Sequence, residues 1–217
     1  MPTDIRDRII CTAFSAIASE KEIRSCMAIA SEQDLKGCVL DLSSIVRMKN
    51  EAAEHKNIFL AINFPFSGID EGSCLELIKK SSEFPFIKNI YVSLDKFIIQ
   101  KPNMGELRSF IQKTSALYKN EINYCLEHCW LKNKETVDKV CSILEPYERH
   151  GLVISTYSKK PDKLSEITAI GKHLNSNGSC KYSYFGAIPS KKEGVVEILS
   201  SGFAYCAMPR QFLGPLI

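Results

Sequence analysis

The chain has 217 residues, of which 45% are hydrophobic and 24% charged. These fractions are ordinary for a globular protein and exclude a disordered or collagen-like chain. Lys and Arg number 28 against 25 Asp and Glu, a net charge of +3 without long basic clusters, so we expect neither a nucleic-acid nor a membrane partner. The nine cysteines lie mostly in apolar runs and form no CxxC pair, which predicts reduced core residues in a cytoplasmic protein.

Short apolar runs predict eight strands, over 9–14, 37–42, 58–64, 87–95, 122–127, 152–157, 181–185 and 203–208. Their nearly continuous apolar character is typical of strands that are buried on both faces, as in a parallel sheet covered by helices. None approaches the ~20 residues that a membrane-spanning helix needs.

Amphipathic stretches between these runs predict helices over 19–33, 71–82, 103–119, 134–147, 162–174 and 190–201. At the start of the first, Ser19 and Glu22 stand at the spacing of a capping box. Strands that alternate with helices predict an α/β fold, a single (β/α)8 TIM barrel domain spanning 1–217. A doubly wound open sheet is the alternative, but the chain lacks the glycine-rich turn expected after its first strand.

In such a barrel the functional residues lie at the carboxyl ends of the strands. The polar or glycine residues near those ends include Asn63, Asp95, Glu127, His128, Ser155, Tyr157, Tyr184, Gly186 and Arg210. Glu127 and His128 are the strongest candidates for a catalytic acid and base. Tyrosine hydroxyls can stabilise a developing oxyanion, and Arg210 carries a planar cation suited to phosphate or carboxylate. The alternative for each residue is a structural role as a loop cap or a core side chain.

Several segments, in chain order, resemble the motifs of one family. The run 61–68 (AINFPFSG) is similar to V-I-G-F-P-x-G, and the run 123–131 (NYCLEHCWL) is similar to K-V-I-L-E-T-x-x-L. The run 152–158 (LVISTYS) stands at F-V-K-T-S-T-G, and 185–188 (FGAI) stands at S-G-G-I. By these motifs the chain resembles the class I deoxyribose-phosphate aldolases, the DeoC-like family, which implies an aldolase-type TIM barrel.

The same resemblance implies that the family's reactive residues are replaced. Its Schiff-base lysine falls at Ile154, its second lysine at Ser183 and its fourth-strand aspartate at Tyr91, while its fifth-strand glutamate is retained as Glu127. Lys181 lies two residues before Ser183 and is the candidate for a displaced Schiff-base lysine. The alternative is that Lys181 reaches solvent at the bottom of the barrel.

We therefore expect a divergent aldolase-superfamily enzyme that acts on a small phosphorylated or carboxylated substrate. Glu127, His128, Lys181 and Tyr157 are its catalytic candidates, and we expect substrate contacts from Asn63, Tyr91, Asp95, Ser155, Tyr184, Gly186 and Arg210. No cofactor and no metal are expected, and lyase or aldol-type chemistry follows by analogy only. The resemblance also implies a homodimer.

The alternative is a non-catalytic binding or scaffold protein on the same barrel. The two hypotheses differ at the mouth of the barrel. An enzyme predicts an open polar pocket that contains Glu127 and His128. A scaffold predicts a mouth filled by Tyr91, Ile154, Tyr157 and Tyr184.

Overall fold

The computed structural model describes residues 5–14, 18–55, 57–64, 67–101, 104–131, 134–157, 159, 161, 163–178, 181–186 and 192–213. Within them, eight parallel strands close into a barrel in chain order, with the first strand paired to the last. The strands are β1 (Ile9–Ala13), β2 (Gly37–Asp41), β3 (Ile58–Ile62), β4 (Asn89–Ser93), β5 (Glu121–Glu127), β6 (Gly151–Ser155), β7 (Lys181–Phe185) and β8 (Cys206–Pro209). The predicted (β/α)8 TIM barrel is confirmed.

Helices follow the strands around the outside. They are α1 (Glu20–Glu32), α2 (Leu42–Arg47), α3 (Lys49–Glu54), α4 (Glu71–Ser81), α5 (Lys96–Ile99), α6 (Gly105–Leu117), α7 (Lys134–Leu144), α8 (Leu164–Asn177) and α9 (Lys192–Ser200). All six predicted helices are present. The sequence interpretation missed α2, α3 and α5, because helices of four to six residues are too short to show a periodic apolar face. No helix of the described residues has the length and apolar content to cross a bilayer.

Helix α1 begins where the sequence predicts. The Ser19 hydroxyl accepts the Glu22 N–H, and the Glu22 carboxylate accepts the Ser19 N–H, so both halves of the capping box form. Each bond satisfies a backbone donor that the first turn of a helix would otherwise leave unpaired.

Buried side chains of the strands form two layers, because successive residues of a strand point to opposite faces. The inner layer fills the lumen of the barrel and contains Ile10, Val39, Phe59, Ala61, Tyr91, Cys125, Val153, Phe185 and Ala207. The outer layer packs against the helices and includes Cys11, Leu40, Leu60, Val92, Leu126, Ile154, Tyr184 and Met208. A shift of one residue along a strand therefore exchanges a lumen position for a helix-facing one.

The cysteines differ in part from the expectation. Cys11 on β1 and Cys26 on α1 form a disulfide, and the Sγ of Cys38 on β2 lies 3.3 Å from that of Cys26. The prediction that all nine cysteines are reduced is thus wrong for this pair, which the packing of α1 on β1 brings together across 15 residues of chain. The cytoplasmic location stays a prediction.

Candidate active site

A buried carboxylate lies at the carboxyl end of β5. Glu127 is only 2% exposed, and it follows Cys125 on the lumen side of the strand. Ser155, its partner in the register of β5 and β6, is fully buried and donates its hydroxyl hydrogen to Glu127 Oε1. Burying a carboxylate is costly unless hydrogen bonds compensate, and such groups concentrate at functional sites. Glu127 and Ser155 therefore lie together at the carboxyl ends of two neighbouring strands.

A pair of hydroxyl groups lies beside Glu127 and Ser155. The Oγ1 of Thr12 on β1 and the OH of Tyr157, just beyond β6, are 2.5 Å apart. The Tyr157 N–H lies 3.4 Å from Ser155 Oγ, its acceptor. Burial raises the pKa of Tyr157, the Thr12 hydrogen bond opposes this, and the nearby charge of Glu127 adds to it. The Tyr157 hydroxyl is therefore protonated at neutral pH, and either hydroxyl of the pair can be the donor to the other.

Thr12 was not among the predicted site residues. The signal was present, because Thr12 is a polar residue in an otherwise apolar strand, two positions after the lumen residue Ile10. Three strands of the barrel contribute side chains to one polar cluster, which we call the mouth cluster. It consists of Thr12, Glu127, Ser155 and Tyr157.

Aromatic rings fill the lumen next to the mouth cluster. Phe14, Phe64 and Tyr157 contact one another with ring centroids 5.1–5.9 Å apart. Phe64 also contacts Phe185, with 5.7 Å between the ring centroids, and Phe185 stacks on Tyr91 with 4.5 Å between theirs. Tyr91, a predicted substrate contact, is thus a buried ring in the middle of the barrel, and burial raises its pKa well above the usual value. The axis of the barrel is packed rather than open.

Two residues expected at the mouth lie instead in the outer layer. Ile154 and Tyr184 pack toward the helices, and the Tyr184 hydroxyl lies 2.7 Å from Thr156 Oγ1. The inward-facing residues of β6 at this level are Val153 and Ser155. A lysine at the position of Ile154 would therefore point away from the lumen.

Gly186 follows Tyr184 in a crowded position. A Cβ added there would overlap Thr156 Oγ1 and the Tyr184 hydroxyl. Its backbone N–H donates to Ala207 O at 3.0 Å. The described contacts of Tyr184 and Gly186 are therefore packing contacts of the barrel wall.

His128 faces the helices. Its Nε2 lies 3.7 Å from Glu166 Oε2 at the start of α8. Burial lowers the pKa of His128, and the charge of Glu166 only partly opposes this, so the imidazole is largely neutral at pH 7. In the described part of the chain no three His, Cys, Asp or Glu side chains come together as metal ligands.

Lys181 lies at the opposite end of the barrel from Glu127. It is the first residue of β7, is exposed, and lines a cavity of about 410 Å³ with Tyr147, Glu148 and His150. Because the strands are parallel, the start of β7 is a full strand length from the mouth cluster. The bottom-of-barrel alternative for Lys181 is the arrangement found, and the lysine cannot meet Glu127.

Asn63 and Asp95 organise loops. Asn63 has a left-handed φ of 55° and its Oδ1 accepts the Ile69 N–H at 3.1 Å. Asp95 caps α5 by accepting the Phe97 N–H at 2.6 Å. Both residues border a small cavity of about 30 Å³. Their described contacts match the loop-capping alternative.

Arg210 lines a cavity that borders the mouth cluster. This cavity of about 390 Å³ lies between β1, α1 and the short helix Arg210–Phe212 that follows β8. Its lining residues are Thr12, Ala13, Phe14, Ala18, Glu22, Ile29, Pro209, Arg210, Gln211 and Leu213. Thr12 is shared with the mouth cluster, so a ligand in this rim cavity would reach the Thr12–Tyr157 pair.

The fold is similar to that of solved aldolases. An aldolase described as QR15 aligns with a TM-score of 0.80 at 15% identity, over 95% of this chain and 91% of that one. A deoxyribose phosphate aldolase from Aeropyrum pernix, described as tetrameric, aligns at 0.76 and 16%, over 95% and 87%. A putative deoxyribose-phosphate aldolase from Coccidioides immitis aligns at 0.81 and 14%, over 94% and 81%.

Neither a family model nor a curated protein matches the sequence. The structural alignments, by contrast, confirm the predicted resemblance to the deoxyribose-phosphate aldolases at the level of the fold. At these identities the likeness concerns architecture alone. The chain has the (β/α)8 barrel fold that the solved deoxyribose-phosphate aldolases share.

Proposed function

We propose that this protein is an enzyme on an aldolase-type barrel that transfers protons on a small carbonyl or hydroxyl compound without a Schiff-base lysine. The observation that carries the proposal is the buried Glu127 carboxylate, held by Ser155 at the carboxyl end of the strands. The aldolase neighbours support the choice of chemistry, since enolisation next to a carbonyl is common to aldol and isomerisation reactions.

The mouth cluster supplies groups for such a step. Glu127 is the base that takes a proton from the carbon next to the carbonyl. The Thr12–Tyr157 pair uses one hydroxyl hydrogen in its own hydrogen bond and donates the other to the oxygen on which negative charge develops. The shared residue Thr12 links these groups to the rim cavity, where Arg210 is available for an anionic end of the substrate.

Lysine chemistry has no support in the lumen. The inward-facing polar residues at the ends of the described strands include Thr12, Glu127 and Ser155, with aromatic rings beneath them. Lys181 lies at the other end. The proposal therefore predicts that borohydride added to the protein with aldehydes or ketones traps no covalent adduct. An adduct that maps to Lys96 or Lys159, lysines located after β4 and β6, would overturn it.

Hydrogen exchange in D2O tests the proton-transfer step. Proton NMR would follow a panel of small ketones, keto acids and sugar phosphates for loss of the signals next to the carbonyl. We expect catalysed exchange on at least one compound and a 100-fold or greater loss in Glu127→Gln, since a positioned base contributes about 10²–10⁴. Glu121→Gln, on the same strand at the other end of the barrel, is the matched control. Unchanged exchange in Glu127→Gln would contradict the assignment.

A second candidate is a non-catalytic binding or scaffold protein. The aromatic filling of the lumen favours it, because Tyr91 and Tyr157 occupy the axis as a scaffold predicts. Ile154 and Tyr184, the other two expected fillers, lie outside the lumen. If the wild-type protein exchanges no proton on any compound of the panel while still binding ligands in the rim cavity, this second function is selected.

A further inference from the structure

The rim cavity contains one cationic and one acidic side chain among its described lining residues, Arg210 and Glu22. The Glu22 carboxylate is already used by the capping box, in which it accepts the N–H and the hydroxyl of Ser19. These bonds are the main reason that the pKa of Glu22 is lowered, and the charge of Arg210 contributes to a smaller degree. Arg210 and Glu22 thus line the same cavity, and no ion pair within 4 Å is described between these two residues.

This charge balance disfavours a dianion. A phosphate ester carries up to two negative charges and is best bound by several N–H donors and cations. Among the described lining residues only one guanidinium and the neutral amide of Gln211 face it, the ionised Glu22 repels it, and Pro209 has no N–H to donate. A carboxylate carries one charge and matches the two parallel N–H groups of one arginine.

The remaining lining is mostly apolar. Ala13, Phe14, Ala18, Ile29 and Leu213 cover the cavity between Arg210 and Thr12. Hydroxyl groups of a sugar placed against these apolar side chains would lose their hydrogen bonds to water without replacement, which disfavours binding. A hydrocarbon body gains from the same contacts.

We propose that the rim cavity binds a small monocarboxylate with an apolar body and one carbonyl or hydroxyl oxygen, rather than a sugar phosphate. Arg210 holds the carboxylate, the apolar residues hold the body, and Thr12 meets the oxygen. This inference rests on the proposed function for the location of the site, but binding does not require turnover.

Calorimetric titration of the wild-type protein tests it, with 4-methyl-2-oxopentanoate, deoxyribose 5-phosphate and the neutral 4-methylpentan-2-one as probes. We expect the keto acid to bind at least 10-fold more tightly than either of the others. Arg210→Gln should weaken its binding at least 10-fold, and Arg210→Lys should recover part of the loss. Arg47→Gln, an exposed arginine on α2, is the control and should bind as the wild type does.

The outcomes separate this inference from the proposed function. Keto-acid binding that depends on Arg210, without proton exchange by the wild type, supports the inference and overturns the proposed enzyme. Exchange that depends on Glu127 with equal or tighter binding of deoxyribose 5-phosphate supports the enzyme and overturns the inference. Failure of 4-methyl-2-oxopentanoate to bind, or binding that Arg210→Gln leaves unchanged, also overturns the inference.

Discussion

At the scale of single residues, the distance to neighbouring atoms decides which side chains a position can accommodate. Gly186 illustrates this, because the Thr156 and Tyr184 hydroxyls, which bond to each other, occupy the space that any Cβ would need. The same position was expected from sequence to contact substrate. Its contacts explain a glycine there without any ligand.

Gly186→Ala should lower the free energy of unfolding by about 1–3 kcal/mol, the usual cost of forcing an extra methyl group into a packed site. Urea unfolding followed by circular dichroism would measure the change. Gly68→Ala is the matched control, since a Cβ at Gly68 meets nothing within 4 Å. Equal stability of the two variants would contradict the packing argument.

His150 is a buried histidine with both ring nitrogens in use. Its Nδ1 accepts the Ile122 N–H at 3.3 Å, so Nε2 carries the hydrogen and donates to Ser115 Oγ at 2.7 Å. Burial, helped by the charge of Arg149, lowers its pKa to about 4 from the model-peptide value of 6.5. The folded state thus requires the neutral ring.

As the pH decreases, His150 becomes protonated in the unfolded chain at a higher pH than in the folded protein. The free energy of unfolding should therefore fall as the pH decreases from 6.5 toward 4. The loss from this residue amounts to at most about 3 kcal/mol for a difference of that size in pKa. Urea midpoints measured across this pH range should show a flatter dependence in His150→Gln than in the wild type. His55→Gln, a surface histidine that contacts Ser31, should keep the wild-type slope. A wild-type slope in His150→Gln would refute the assignment.

At the scale of elements, local sequence signals placed the helix ends and the alternation of strands and helices. The capping box of α1 formed as the spacing of Ser19 and Glu22 predicts, because its hydrogen bonds are made within four consecutive residues. Helix α1 also supplies Glu22 and Ile29 to the rim cavity. The capping box at the start of α1 therefore helps to position residues of the proposed binding site as well as to stabilise the protein.

Ser19→Ala should reduce the free energy of unfolding by about 1 kcal/mol, the typical value for loss of an N-cap. Thermal unfolding would report the change. Ser142→Ala on the exposed face of α7 is the control, because that hydroxyl bonds only to Lys139 O within its own helix and alanine is a good helix former. A loss in Ser142→Ala as large as that in Ser19→Ala would argue against the cap.

At the scale of the whole molecule, the barrel combines a filled axis with an open rim. Stacked rings in the lumen connect opposite strands, with Phe185 contacting both Phe64 and Tyr91. Polar groups from three strands at this end form the mouth cluster, beside the rim cavity. Homodimer formation stays a prediction, which sedimentation velocity at two protein concentrations would test.

Phe185→Ala should cost about 3–5 kcal/mol of stability, because it removes a fully buried ring from the centre of the lumen. Val196→Ala on α9, where the valine is 41% exposed, should change stability by no more than about 0.5 kcal/mol. Chemical denaturation compares the two. A cost near 1 kcal/mol for Phe185→Ala would mean that the lumen collapses around the missing ring.

The amino-acid sequence by itself determined the order of strands and helices, the cap of α1 and the polar residues at the strand ends. These features follow from hydrophobic periodicity and from hydrogen bonds between near neighbours. The tertiary structure alone decided which residues face the lumen. A strand buried on both faces is apolar at every position, so its sequence does not show which of two consecutive residues points inward. For this reason Ile154 and Tyr184 lie against the helices, while Ser155 meets Glu127 at the mouth.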